Sequence, residues 1–529
     1  MVTDPFLHAW VLAHAATTAD APAIATPTTR LSYGDLAQRM LALAGRLRAH
    51  GVGHGDRVVV ALPNGAPAVV ASLAVQALGG TVVAVARGQA AGALRQVVTR
   101  AGARHVVLAG RDARLWGDAL AGLAVDQAWV AHRDAPTAAL LAALGRPAQW
   151  LPEDGAPDPA ATEPPIDQPA AVDPDSVALI LFTSGSTGTP LGVLQTHRNT
   201  DANSRSIVRY LGLTARDRVL ATLPLSYCYG RSLLQTHLLV GGSVVFDDRF
   251  AFPRTVMESL AAEGCTGFAG VPLTFEILRR SVDLRSIPMP SLRYVTQAGG
   301  AMASDTTRWA REAFAPASLY VMYGQTEATA RLTYLPPDRA VDKEGSIGIP
   351  IPGVEVRVVD QVGDEVPVGT VGELVARGDN VTPGYLDDPE ATAGILRDGW
   401  LWTGDLARRD ADGFLFHQGR AREIIKVGGR RVSPVEVEQA LERHPAVVEA
   451  GVRGVADDLM GEVPAAFVVR RPGSDVTEDE LRTSLRAAVP PWLVPASITF
   501  LDRLPRNETG KLLRADLPVA VAPVGVGVG

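Results

Sequence analysis

The chain has 529 residues, 47% hydrophobic and 20% charged, which is too much material for one core and predicts two or more domains, at least one of them large. A formal charge of −7 with scattered basic residues excludes a nucleic-acid groove or an anionic membrane surface as the expected partner. Two cysteines, Cys228 and Cys265, show no metal-ligand spacing, so a disulfide framework is excluded and a reducing compartment is expected.

The N-terminus carries Asp4 and no basic cluster, and the apolar run from Ala9 to Ala16 contains His14. No signal peptide is expected, and the location reads as cytoplasmic. The most hydrophobic stretch, Val58 to Ala86, is punctuated by Pro63, Asn64, Gly65, Pro67, Gly79 and Gly80, so it reads as strand, helix and strand rather than a membrane span. The same alternation recurs at VVLA near residue 106, ALILF at 178–182, RVLATL at 218–223 and SVVF at 243–246. Strands alternating with helices predict an α/β fold with doubly wound parallel sheets. Residues 151–177 are rich in Pro, Asp and Ala and read as an exposed connector inside the large domain. From about residue 350, shorter alternating segments such as VEVRVVD and GELVARG predict an antiparallel or barrel-like portion. A last unit from about 422 to 516 has its own strand and helix pattern, and the tail VAPVGVGVG reads as disordered.

Directly after ALILF comes Thr183-Ser184-Gly185-Ser186-Thr187-Gly188. Its glycines permit tight turns while hydroxyls and amide N–H groups face outward, a composition that suits phosphate oxygens and equally a flexible linker. The stretch LFTSGSTGTPLGV closely resembles the phosphate-loop signature of the AMP-forming adenylate synthetases, the superfamily of acyl-CoA ligases, peptide-synthetase adenylation domains and beetle luciferases. Where that family usually has Lys, this chain has Leu191, which leaves backbone donors and a metal ion to stabilise the leaving phosphates.

Tyr323-Gly324-Gln325-Thr326-Glu327 follows the apolar strand SLYVM, at the strand end where open α/β sheets bind ligands. It is similar to the family's second signature, which implies Tyr323 against adenine, Thr326 near the α-phosphate and Glu327 as ligand of the Mg²⁺ carried by ATP. Gln297-Ala298-Gly299-Gly300 resembles the glycine turn over the adenine, though the family's lead residue is less often polar. Trp402-Thr403-Gly404-Asp405 places a carboxylate in a glycine turn; the resemblance implies Asp405 on the ribose hydroxyls with Arg420 as a second contact. Arg420-Ala421-Arg422 matches the interdomain hinge with Arg422 as pivot, dividing an N-terminal adenylate-forming domain (1–420) from a small mobile α+β lid (421–529). Near the end, Pro505 to Lys511 matches the PxxxxGK signature and implies that Lys511 swings in to meet the attacking oxyanion and the α-phosphate.

By the same resemblance the acid pocket is expected from Leu223 to Gly230, with Tyr227 and Tyr229, from Val271 and Phe275, and from Ala298, Gly299 and Met322. Arg331, four residues past Glu327, could add a cation at its edge, although an exposed or salt-bridged arginine is the ordinary expectation. Ile424 to Gly429, followed by Ser433-Pro434, is close to the acyl-CoA ligase loop that lets a pantetheine thiol pass the backbone, and could equally be a glycine hairpin serving the small domain alone. The resemblance runs from about residue 30 to 516. It implies ATP- and Mg²⁺-dependent activation of a small acid as acyl-AMP, then transfer to coenzyme A or a carrier-protein thiol. Two other readings stay open: nitrite activation to diazotise an arylamine, and a degenerate protein that binds nucleotide without turnover.

Overall fold

The computed structural model describes residues 2–86, 88–131, 145, 148–151, 156, 162–184, 190–506 and 512–518. Among them the apolar runs become two large, mainly parallel sheets. The first orders its strands Ala148–Leu151, Gln127–Ala131, His105–Ala109, Arg57–Ala61, Thr81–Ala84, Val177–Ser184 and Pro190–Thr196. All of these pair in parallel except the last two, which form an antiparallel hairpin. The stretch from Val58 to Ala86 is the predicted strand, helix and strand, with the helix Ala66–Ala77 almost wholly buried. Among the described residues, no helix is long and apolar enough to cross a membrane.

The second large sheet runs Ile349–Pro350, Thr333–Leu335, Ser318–Tyr323, Tyr294–Gln297, Gly267–Gly270, Arg218–Ala221, Ser243–Phe246, Pro22–Ala25 and Arg30–Ser32. Its interior is parallel and its edges antiparallel. Alternation along the strands sends side chains to opposite faces: Ala269 and Val219 join the core shared with the first sheet, while Phe268 and Leu220 join a separate core under the helices Pro253–Ala262 and Pro272–Ser281.

The antiparallel portion expected from about residue 350 is a five-stranded sheet built on Val354–Val359, Val371–Gly378, Leu396–Arg397, Trp400–Arg409 and Leu415–Arg420. A smaller C-terminal α+β unit follows. Its strands Ile425–Val427, Arg430–Val432, Val447–Asp457, Gly461–Arg470 and Ser497–Phe500 pack against the helices Pro434–Glu442 and Glu478–Ala488 around a core of their own.

Candidate active site

The strands Gly267–Gly270, Tyr294–Gln297 and Ser318–Tyr323 are parallel neighbours, so the residues just beyond their C-terminal ends converge on one edge of the sheet. Val271, Ala298 with Gly299, and Gly324 to Glu327 are those residues. Gly299 has φ 91°, and a Cβ there would stand 2.6 Å from the Tyr227 hydroxyl and 3.2 Å from Val271. The close approach requires glycine. The polar lead residue Gln297 is buried, and its amide donates to the Gly300 carbonyl at 2.8 Å, bracing the turn.

Gly324 is equally constrained, since a Cβ would lie 2.1 Å from the Ala330 carbonyl oxygen. The chain then makes a single 3₁₀ turn, Thr326–Ala328. Gln195 donates to the Thr326 carbonyl at 3.0 Å, and the Thr326 hydroxyl lies 3.6 Å from the Cys228 sulfur. Burial pushes the Cys228 thiol up, so it stays protonated at neutral pH. Glu327 accepts a hydrogen bond from the Tyr385 hydroxyl at 2.8 Å, and its backbone carbonyl accepts from Thr382 N. Burial, then the charge and hydrogen bond of Glu327, push the Tyr385 hydroxyl far up, so it serves as a donor.

Asp405 and Arg420 are register partners on adjacent antiparallel strands. The Asp405 side chain is 4% exposed, with Oδ1 at 3.0 Å from Arg420 Nε and 3.5 Å from His417 Nε2. Its Oδ2 accepts from the Tyr323 hydroxyl at 2.6 Å. Burial would raise this carboxyl; hydrogen bonding from His417, the charge of Arg420 and the Tyr323 hydroxyl outweigh it and hold the group well below the usual carboxylate range. In turn the charge of Asp405 raises Arg420. A carboxylate offers about four acceptor positions, so this one retains capacity for a further donor such as a sugar hydroxyl.

The structure therefore brings Tyr323, Thr326, Glu327, Asp405, Arg420 and Gly299 to one edge. Thr183 and Ser184 end their strand in register with Leu191 and Pro190; Gly185, Ser186, Thr187, Gly188 and Lys511 lie outside the described residues. Among the described residues no group of three or more His, Cys, Asp or Glu could hold a metal. A lone carboxylate at Glu327 suits a cation that arrives with phosphate oxygens and water as its other ligands.

Of the expected pocket residues, Tyr227, Tyr229, Val271, Ala298 and Met322 share one core face. Phe275 does not. It is 0% exposed and packs with Phe268 and Phe314 on the opposite face of the sheet, because the helix that starts at Pro272 turns it away from its N-cap residue Val271. Tyr229 is a core residue whose hydroxyl meets that of Thr296 at 2.8 Å. Arg331 is a second correction: it is neither exposed nor salt-bridged, but 2% exposed with its guanidinium 4.2 Å from the Tyr229 ring centroid.

Gly428 and Gly429, at φ 54° and 80°, form the two-residue turn between the strands Ile425–Val427 and Arg430–Val432. Positive φ at both positions is what such a hairpin turn demands. Ser433 donates to the Gln418 carbonyl at 2.6 Å, joining the segments on either side of the Ala421–Glu423 turn that contains Arg422.

Comparison with known proteins agrees with this geometry. The family model of the AMP-binding enzymes matches residues 11–386, and that of the AMP-binding enzyme C-terminal domain matches residues 436–511. A feruloyl-CoA synthase of an Amycolatopsis species is 35% identical over 518 residues, covering 97% of this chain and 98% of its own. The o-succinylbenzoate CoA synthetase from Bacillus subtilis, solved with its acyl-adenylate intermediate, superposes with a TM-score of 0.82 at 28% identity, covering 97% of this chain and 98% of its own. An amide bond synthetase from Marinactinospora thermotolerans gives 0.86 at 27% identity, over 96% and 98%. The chain belongs to the AMP-binding enzyme family. It is an AMP-forming ligase that works with ATP and Mg²⁺.

Proposed function

We propose that the protein activates a small carboxylic acid as its acyl adenylate and passes the acyl group to the thiol of coenzyme A. The observation that carries this reading is the convergence of Tyr323, Thr326, Glu327 and the Asp405–Arg420 pair at one sheet edge, beside the packed apolar residues Tyr227, Val271, Ala298 and Met322. In the first half-reaction a carboxylate oxygen attacks the α-phosphorus of ATP and the bond to pyrophosphate breaks. In the second, the thiol sulfur attacks the acyl carbon, AMP leaves, and the thiol proton passes to solvent.

In this reading Asp405 and Arg420 hold the ribose, and the Tyr323 ring lies against the adenine. Thr326 donates to the α-phosphate, and the loop from Thr183 to Gly188 cradles the departing phosphates. Mg²⁺ supplies charge neutralisation there, with Glu327 as the ligand from this chain. Lys511 offsets the repulsion between the acid and the α-phosphate while the nucleophile approaches. Residues 421–529 act as a lid that turns about Arg422 between the half-reactions. The three-residue turn at that position and the ordered turn at Gly428–Gly429 support a defined pivot and a loop carried with it.

The test is pyrophosphate release over a panel of carboxylic acids with Mg²⁺-ATP, followed by mass analysis of products with coenzyme A, a pantetheinyl carrier, an amine, or nitrite with an arylamine. An acid-dependent thioester of coenzyme A is expected. Amide or diazo product without thioester would overturn the choice of acceptor.

A further inference from the structure

The short arc between Glu327 and Arg331 holds two consecutive non-glycine residues at positive φ, Thr329 at 60° and Ala330 at 151°. Such conformations cost of order 1–3 kcal/mol each and persist only where the surroundings impose them. Here they do. The Thr329 hydroxyl donates to the Asn380 carbonyl at 2.6 Å, and the Asn380 side-chain amide donates to the carbonyls of Ala328 and Arg331 at 3.2 and 2.8 Å. The bare Cα of Gly324 leaves room for the Ala330 carbonyl.

What this strained arc sets is the position of the next side chain. Arg331 is turned into the interior, 2% exposed, over the face of Tyr229. Its Nε donates to the Met322 sulfur at 3.3 Å and its Nη1 to the Ala330 carbonyl at 3.0 Å. Its partners are thus a ring face, a thioether, a backbone oxygen and the Tyr210 hydroxyl, all uncharged; no carboxylate of the described residues lies within ion-pairing distance. A small void opens beside it, lined by Tyr210, Leu233, Thr296 and Met322 as well as Arg331. Tyr210 also turns its hydroxyl onto the Met322 sulfur, at 3.1 Å. Met322, which lines this void, and Tyr229, whose ring the guanidinium covers, are two of the residues expected to form the acid pocket, so Arg331 stands behind that expected wall.

A guanidinium withdrawn from water without a counter-ion is costly, and an anion brought to it relieves that cost. We infer that Arg331 selects the acid, and that the substrate class is a small carboxylic acid bearing a second anionic group, carboxylate or sulfonate, at the end remote from the carboxylate that is activated. The inference rests on the acid-activating reading above. A monoanionic acid of the same length would leave the guanidinium buried without a counter-ion, a situation in which polar sites discriminate strongly.

The experiment measures pyrophosphate release by the full chain with Mg²⁺-ATP on matched pairs: glutarate against pentanoate, 3-sulfopropanoate against butanoate, and 4-carboxybenzoate against 4-methylbenzoate. Wild type is expected to favour the dianion of at least one pair by about a hundredfold or more in kcat/KM. Arg331→Met should abolish that preference while retaining or improving turnover of the uncharged-tail partner, and Arg331→Lys should keep part of it. Equal or better use of the uncharged-tail partner in every pair by wild type would overturn the inference and leave acid activation standing. A uniform loss on all acids in Arg331→Met, with its melting temperature unchanged, would also overturn it. Release with no acid of any kind would remove the activation reading itself. The wild-type comparison decides the matter even where a variant fails to fold.

Discussion

The Tyr385 hydroxyl donates to Oε1 of Glu327 at 2.8 Å across 58 positions of sequence. Tyr385 is held in place because its segment pairs with the strand Pro190–Thr196: Leu386 N donates to the Gly192 carbonyl and Leu194 N to the Gly384 carbonyl. The strand Pro190–Thr196 and the lone carboxylate proposed to meet Mg²⁺ are thus tied through one phenol.

Tyr385→Phe should leave the fold intact and raise the Mg²⁺ concentration needed for half-maximal pyrophosphate release by about tenfold to a hundredfold, the worth of one hydrogen bond to a charged group. Glu327→Gln should lower kcat by a larger factor at saturating Mg²⁺. A Mg²⁺ titration of both variants checks this, and an unchanged Mg²⁺ dependence in Tyr385→Phe would argue against Glu327 as the ligand.

Asp405→Asn removes the buried counter-ion of a half-buried arginine and is expected to destabilise the protein by less than the roughly 3–5 kcal/mol of a fully buried pair. Tyr323→Phe removes one neutral donor and should cost about 1–2 kcal/mol. Denaturant unfolding of the two single variants and the double variant should reveal coupling between the sites, since both act on one carboxylate. Additive losses would show that the 2.6 Å contact carries no energy of its own.

Lys511→Ala is expected to reduce adenylate formation by orders of magnitude while a supplied acyl adenylate is still converted to thioester. Equal loss in both half-reactions would place Lys511 outside the adenylating geometry.

Stability should fall on mild acidification. Burial pushes His8 down to about 3, with the charge of His197 adding to it, and burial pushes His197 and His237 each down to about 4. The unfolded chain titrates its histidines near ~6.5, so below that pH it binds more protons than the folded one, and each histidine withdraws about 1.4 kcal/mol per pH unit until its folded value is reached. This stabilisation is complete above ~6.5. Glu442 acts in the other sense. Burial first, then Glu438 and Glu449, push it up to about 8, so its favourable contribution is complete in acid and is lost as pH rises towards that value. His237→Gln should flatten the loss of unfolding free energy between pH 6.5 and 5 by one proton's worth, and Glu442→Gln should raise stability at pH 8 relative to pH 5. An unchanged slope in His237→Gln would show that it is not buried neutral.

The parallel strands were readable because each is a short apolar run bounded by turn residues, as at VVVAL and SVVF, and the site residues with glycine neighbours were readable because a turn exposes them. Tyr323, Asp405 and Arg420 do meet. What escaped is what depends on register between distant segments. His417 reaches Asp405 only because the strands Trp400–Arg409 and Leu415–Arg420 pair. Gln195 reaches Thr326 from the strand Pro190–Thr196, and Tyr385 reaches Glu327 through a segment added beside that strand. Phe275 departs from its expected place because a residue one helical turn past a strand end faces the far side of the sheet, and Arg331 because residue type predicts exposure while a strained turn dictates burial.

The strand Pro22–Ala25 pairs with Ser243–Phe246, so the first strand of the chain closes a sheet whose other members are all distant in sequence save its hairpin partner Arg30–Ser32. During synthesis at about 5–20 residues per second, its apolar edge waits roughly 10–40 s for that neighbour to leave the ribosome. The second large sheet must therefore mature later than the first, whose strands all lie between residues 57 and 196, and the Pro22–Ala25 strand keeps an unpaired edge until then. A fragment that stops before residue 243 would lack this partner, so the Pro22–Ala25 edge is completed only when translation has passed Phe246.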